Sequence, residues 1–247
     1  MSDGVRIAMW SGPRNISTAL MRSWGNREDC YVCDEPLYAH YLQHTGFDHP
    51  DAAEIVAHHE TDWRKVVEGL IGPIPQNRIV YYQKHMAHHL LPHIERDWLD
   101  RLTHVFLIRD PAAMISSYLV RRPEMTVEDS GLPQQCEIFD RIAERIGAAP
   151  PVVDSRDVLK DPRAMLEALC DRLEVAFDER MLHWEPGPRA TDGIWAKRWY
   201  DVVEASTGFQ PYKPKDVTIP EKFRPLVDEC RAFYVHLHAH RLEPPAA

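Results

Sequence analysis

One stretch limits what this chain can become: residues 5–22, VRIAMWSGPRNISTALMR. Val5, Ile7, Met9 and Trp10 form a short apolar run that predicts a buried strand. Ser11, Gly12 and Pro13 break it, since glycine supports unusual φ and proline fixes φ near a turn value. Asn15 or Ser17 is placed to cap a following helix, along which Ile16, Ala19, Leu20 and Trp24 recur at helical spacing. A strand, a tight loop and a helix start bring several backbone N–H groups and the positive end of a helix dipole to one point. Such a point is an anion cradle suited to phosphate or sulfate. Arg14 adds a cation in the loop, and Ser17 and Thr18 add hydroxyl donors. The pattern is P-loop-like without the ATPase signature, because Ser17 and Thr18 stand where Gly and Lys would be required.

Beyond this stretch, apolar runs alternate with helical patterns. Strands are predicted at 30–34, 78–83, 104–108 and 151–154. Helices are predicted at 52–59, 63–71, 90–102, 134–146, 161–173, 196–205 and 221–242, with another opening at Pro111. Residues 43–51 and 184–193 read as loops, and 121–131 as a surface flap. The alternation implies one α/β domain over residues 1–247, with a mostly parallel sheet between two layers of helices. In such sheets ligands sit beyond the carboxyl ends of the strands. Four polar groups fall there: the Arg14 loop, Glu35, the stretch 83–89, and Arg109.

Bulk properties narrow the partners. The net charge of −9 disfavours nucleic acid and anionic membrane, both of which want a basic face. No apolar run is long enough to span a bilayer, and the first residues lack a secretory leader pattern, so a cytoplasmic location is expected. The five cysteines are odd in number, as suits a reducing compartment. Cys30 and Cys33 form a C-x-x-C, but within a strand their side chains point to opposite faces. His85, His88, His89 and His93 sit at helical spacings and read as polar filling, with no metal expected. His236, His238 and His240 read as an exposed helix tail.

With these residues assembled, the chain resembles the sulfotransferases that use 3′-phosphoadenosine 5′-phosphosulfate (PAPS). Those enzymes hold the 5′-phosphosulfate in a strand–loop–helix reading Lys or Arg, Ser, Gly, Ser or Thr, Thr. Here the run is Arg14-Asn15-Ile16-Ser17-Thr18, with Asn and Ile replacing Ser and Gly, and Ala19 where the family carries a stacking Trp. The family's 3′-phosphate element is a strand ending in Arg-Asp-Pro with a Ser eight residues beyond the Arg. FLIRDPAAMISSY supplies Arg109 and Ser117 at that separation. Glu35-Pro36-Leu37 matches carbohydrate-type members. YYQKHMAHHLLP is similar to the Lys-x-His stretch of cytosolic members, aligning His85 with the catalytic His and Gln83 with the Lys. VVDSRDVLKDP and GPRATDGIWAKRW look like the family's later strand and C-terminal cofactor loop, so the likeness reaches about residue 208.

The resemblance implies sulfuryl transfer from PAPS to a hydroxyl, or an amine, of a small-molecule or carbohydrate acceptor. By this likeness Gly12, Arg14, Asn15, Ile16, Ser17, Thr18, Arg109, Ser117 and Arg189 bind the co-substrate. Arg14 stabilises the leaving phosphate, and Glu35 or His85 is the base, with Glu35 favoured because it follows the strand next to the cradle. Two alternatives share the architecture: a phosphotransferase or NTPase, and a nucleotide-binding module without chemistry. Nothing in the sequence speaks to oligomeric state.

Overall fold

Residues 5–11 do become the central strand of a sheet. The structure, a computed structural model, describes residues 4–214 and 217–243. Its strands are β1 (Val5–Ser11), β2 (Cys30–Asp34), β3 (Val80–Met86), β4 (Thr103–Ile108) and β5 (Val152–Asp154). All pair in parallel in the order β2-β3-β1-β4-β5. The helices are α1 (Ser17–Gly25), α2 (Tyr38–Thr45), α3 (Ala52–His58), α4 (Trp63–Ile71), α5 (Pro111–Leu119) and α6 (Leu132–Ile146). They continue with α7 (Ser155–Lys160), α8 (Pro162–Arg172), α9 (Ala196–Trp199), α10 (Asp201–Glu204) and α11 (Arg224–His238).

Alternation along the strands divides the core into two layers. Ile7, Met9, Val105 and Leu107 join Leu20 and Trp24 of α1 and Met165 and Leu169 of α8 on one face. Ala8, Trp10, Phe106 and Ile108 join Val67 of α4, Phe139 of α6 and Leu237 of α11 on the other. Strands covered on both faces carry continuous apolar runs rather than an alternation, as residues 7–10 of β1 and 105–108 of β4 show. Because every strand runs the same way, the ends at Ser11, Asp34, Met86, Ile108 and Asp154 share one edge. Among the described residues no helix is long and apolar enough to cross a membrane.

Several of the expected elements needed correction. The helix expected over 90–102 is instead a series of tight turns, with i→i+3 bonds such as Ile94 N–H to Leu91 C=O and Leu102 N–H to Leu99 C=O. Pro92 supplies no N–H and disfavours α geometry at Leu91, which explains the outcome. The expected helix over 196–205 is the two short helices α9 and α10, and the third strand starts at Val80 rather than Arg78 and runs on to Met86. α11 ends at His238 rather than at 242. Neither Asn15 nor Ser17 caps α1, whose N-cap is Ile16. Asn15 is occupied elsewhere, its amide donating to the Leu107 carbonyl at 3.1 Å and tying the loop to the end of β4.

Candidate active site

The carboxyl edge of the sheet opens into a cavity of about 410 Å³. The loop between β1 and α1 forms one wall, and Arg14, Asn15, Ile16, Ser17 and Thr18 all line it. The first N–H groups of α1 have no intrahelical acceptor by geometry and face this loop. Arg14 takes left-handed φ, at 57°, a conformation that non-glycine residues adopt only when neighbours enforce it. Those neighbours are visible: the Arg109 guanidinium donates to the Arg14 carbonyl at 2.5 Å, and Arg14 Nε donates to Ser117 Oγ at 3.1 Å. α5 therefore folds back beside β4, and the strand tip and the helix converge on one point. Burial, then the nearby Arg121, lowers the Arg14 pKa; burial, then Arg14, lowers that of Arg109. Burial is the larger cause of both shifts and a neighbouring guanidinium the second, and an oxyanion between the two arginines would relieve that repulsion.

Across the cavity, the ends of β2 and β3 build a second cluster. Lys84 pairs in register with Asp34, and its side chain is 1% exposed. Its Nζ donates to Asp34 Oδ1 at 2.9 Å, Glu35 Oε1 at 2.5 Å and the Tyr200 hydroxyl at 2.8 Å. Tyr200 OH lies 2.8–2.9 Å from both Asp34 oxygens, and the Gly193 N–H donates to Asp34 Oδ2 at 3.0 Å. Burial acts to lower the Lys84 pKa, but Asp34 and Glu35 raise it further than burial lowers it, so the ammonium stays charged. Burial pushes the Glu35 carboxyl above the ordinary range, restrained by Lys84 and reinforced by Asp34. Glu35 is the second cavity residue with left-handed φ, at 43°, which turns its side chain from the strand end into the cavity. Its Oε2 lies 3.9 Å from His89 Nδ1.

His85 is elsewhere. It stacks on Trp10 with centroids 4.3 Å apart, and its Nε2–H donates to Gln83 Oε1 at 3.2 Å. Gln83 in turn donates to the Leu70 carbonyl of α4, so both residues point to the face opposite the cavity. Burial pushes the His85 pKa down to about 3, keeping the ring neutral. Shifting the Lys-x-His frame by one residue aligns it with Lys84 and Met86, which do line the cavity. A one-residue slip on a strand exchanges faces, and here it separates a site residue from a core one.

Two other expected contacts also lie outside the cavity wall. Gly12 packs under the loop, where a Cβ would come within 2.1 Å of the Ser130 carbonyl oxygen. Arg189 spends its guanidinium on the Pro188 and Glu185 carbonyls, at 3.3 and 2.5 Å. The loop carrying Arg189 is anchored by the buried pair Arg22–Asp192, bidentate at 2.5 and 2.7 Å. The residues of this region that reach the cavity are Trp195, Trp199 and Tyr200. In the flap, Arg121 and Arg122 line the cavity, and Arg122 sits 4.1 Å over the Phe47 ring. Cys30 and Cys33 are free thiols pushed up to about 12 by burial, unsuited to nucleophilic or redox work.

Solved sulfotransferases share this fold. The sulfotransferase domain of the Synechococcus PCC 7002 olefin synthase matches with a TM-score of 0.50 at 17% identity, covering 94% of both chains. A sulfotransferase from Alicyclobacillus acidocaldarius matches with a TM-score of 0.50 at 12% identity, covering 97% of both. The chain belongs to the sulfotransferase domain family, whose profile matches residues 5–239. It is also 35% identical over 234 residues to branched-chain-amino-acid aminotransferase-like protein 2 of Arabidopsis thaliana, and 35% over 240 residues to the related protein 1. These alignments take in 95% and 97% of this chain but only 41% and 43% of those two proteins.

Proposed function

We propose that this domain transfers a sulfuryl group from PAPS to a hydroxyl, or an amine, of a small-molecule or carbohydrate acceptor. The observation that supports this reading most is one cavity with two chemistries. Arg14, Arg109 and Ser117 stand at one wall, and the Glu35–Lys84 pair stands at another. When bound, PAPS supplies the sulfuryl group and a 5′-phosphate as leaving group. Arg14 and the N–H groups opening α1 stabilise the charge that grows on that phosphate. Arg109 and Ser117 hold the 3′-phosphate. Glu35 takes the acceptor's proton, a role typically contributing ~10²–10⁴-fold. Lys84 holds the Glu35 carboxylate towards the cavity, while Asp34 and Tyr200 fix Lys84. Tyr38, Tyr41 and Phe47 wall the remaining space and suit an acceptor with an apolar body.

Adenosine 3′,5′-bisphosphate should raise the melting temperature, and AMP far less, because Arg109 and Ser117 are supplied for a second phosphate. At a hundredfold excess over Kd the linkage is ~2.7 kcal/mol, readily seen by calorimetry. Equal shifts with AMP would remove the two-phosphate reading, and a larger shift with ATP and magnesium would favour a phosphotransferase.

The two arginines should also separate kinetically. Arg14→Ala is expected to lower turnover more than co-substrate affinity, since Arg14 meets charge that grows in the transition state. Arg109→Ala should weaken bisphosphate binding about 10- to 100-fold, the worth of a charged hydrogen bond, with a smaller change in turnover. Titration calorimetry beside single-turnover rates checks both, and the reverse pattern would mean the two ends of the co-substrate are exchanged.

A further inference from the structure

The histidines that look like one cluster in sequence part company in space. His85 is in the core, and His88 and His89 line the cavity, while His93 meets two histidines of α2 outside it. His40 and His44 are one helical turn apart on α2, so they share a face. The ligating nitrogens of His40, His44 and His93 all lie within 4.8 Å of one another. Ring centroids are 4.3 Å apart for His40–His44, 4.4 Å for His44–His93 and 5.1 Å for His40–His93.

We propose that His40, His44 and His93 form a binding site for a divalent transition metal, with zinc the natural occupant. Three imidazoles are a donor set for Zn²⁺, Co²⁺, Ni²⁺ or Cu²⁺ and a poor one for Mg²⁺ or Ca²⁺, which want oxygen. The strongest sign is the orientation of His40, which is 2% exposed. Its Nδ1–H donates to the Thr61 carbonyl at 2.7 Å, which leaves the lone pair on Nε2. A backbone carbonyl holding the far nitrogen is the usual support of a metal-ligating histidine. That Nε2 faces His93 Nε2 at 2.8 Å, so two nitrogens that both serve as ligands already point at one another. With Zn–N distances of 2.0–2.1 Å, tetrahedral ligand nitrogens stand about 3.3–3.4 Å apart, so a small rotation of the exposed His93 and His44 rings seats the ion. Their exposure leaves a fourth position open to water.

Arg64 and Arg96 stand near enough to repel a cation, and Asp62 near His40 works the other way. The ion would join α2 to the segment after β3. These are the two elements that carry Tyr38, Tyr41, His88 and His89 into the cavity, although none of the three ligands lines it. Its role is therefore a clamp between two cavity walls, apart from the transfer step.

The test uses the full chain without a polyhistidine tag, stripped with chelator and titrated with zinc chloride by calorimetry and with cobalt chloride by visible absorption. One equivalent should bind, with the intense visible band of tetrahedral cobalt. His44→Ala and His93→Ala, both at exposed positions, should each weaken binding at least about tenfold, or about 1.4 kcal/mol. Both variants should keep wild-type circular dichroism and bisphosphate affinity. The control His236→Ala, on α11, should bind metal like the wild type. Absence of stoichiometric binding, or binding that survives both His44→Ala and His93→Ala, would overturn the site and leave a simple histidine–histidine hydrogen bond.

Discussion

Glu35→Gln is expected to cut single-turnover sulfuryl transfer by about 10²–10⁴-fold while the bisphosphate binds as before. Glutamine keeps the shape and one acceptor oxygen for Lys84 Nζ, which lies 2.5 Å from Glu35 Oε1. It removes the only capacity that matters for the step, that of taking a proton. Since the groups proposed to face the phosphates, Arg14, Arg109 and Ser117, belong to the loop before α1, to the end of β4 and to α5, their contacts should survive. Burial pushes the Glu35 pKa up, so the wild-type rate should fall on acidification at a pH above the ordinary glutamate value of about 4.3. His85→Asn is the matched control. It should lower stability by about 0.5–3 kcal/mol through the loss of a core ring stacked on Trp10, and leave the rate per folded molecule unchanged. A near-normal rate in Glu35→Gln beside an inactive, folded His85→Asn would move the base to the far side of the sheet and defeat the reading.

Much of this arrangement was legible in the sequence because it rests on local pattern. Apolar runs ending in a turn residue fix β1 and β4, and the arginines that follow them, Arg14 and Arg109, had to emerge at the same edge once the strands were parallel. Ser117 gained meaning only by its distance from Arg109, and the fold-back of α5 brings it to Arg14 Nε. Lys84 was the residue overlooked, although a signal existed. A lysine between Tyr82 and Met86 in a strand buried along its whole length needs a carboxylate partner, and Asp34 and Glu35 end the adjoining strand. Matching a spacing to His85 put the lysine position on Gln83, one residue off and so on the wrong face. Tyr200 and Gly193 could not be found that way, because their contact with Asp34 closes a loop of about 160 residues and leaves no periodic trace.

Lys84→Met should destabilise the protein by about 3–5 kcal/mol near neutral pH, the usual consequence of stripping one partner from a buried ion pair. In the wild type the folded Lys84 pKa lies above its unfolded value. Its stabilisation is therefore present in full below about 10.4 and lost only as pH rises through the higher folded value, well into the alkaline range. Methionine fills the stem's volume but leaves Asp34 with only Tyr200 and the Gly193 N–H, and Glu35 with no cation at hydrogen-bond distance. Burial then acts on Glu35 unopposed by Lys84 and raises its folded pKa further. The folded variant binds a proton more tightly than the unfolded chain, so its stability falls as pH rises from about 4.3 through that raised value and levels off above it. Urea midpoints at pH 5 and pH 8, at constant m, read this directly: the deficit against wild type should be larger at pH 8. The double variant Lys84→Met/Glu35→Gln removes one of the stranded carboxylates and should recover part of the loss at pH 8, a non-additivity expected of groups in contact. A single variant as stable as wild type at both pH values would show that Asp34 and Glu35 do not depend on the lysine. The second cluster of the cavity would then have no electrostatic centre.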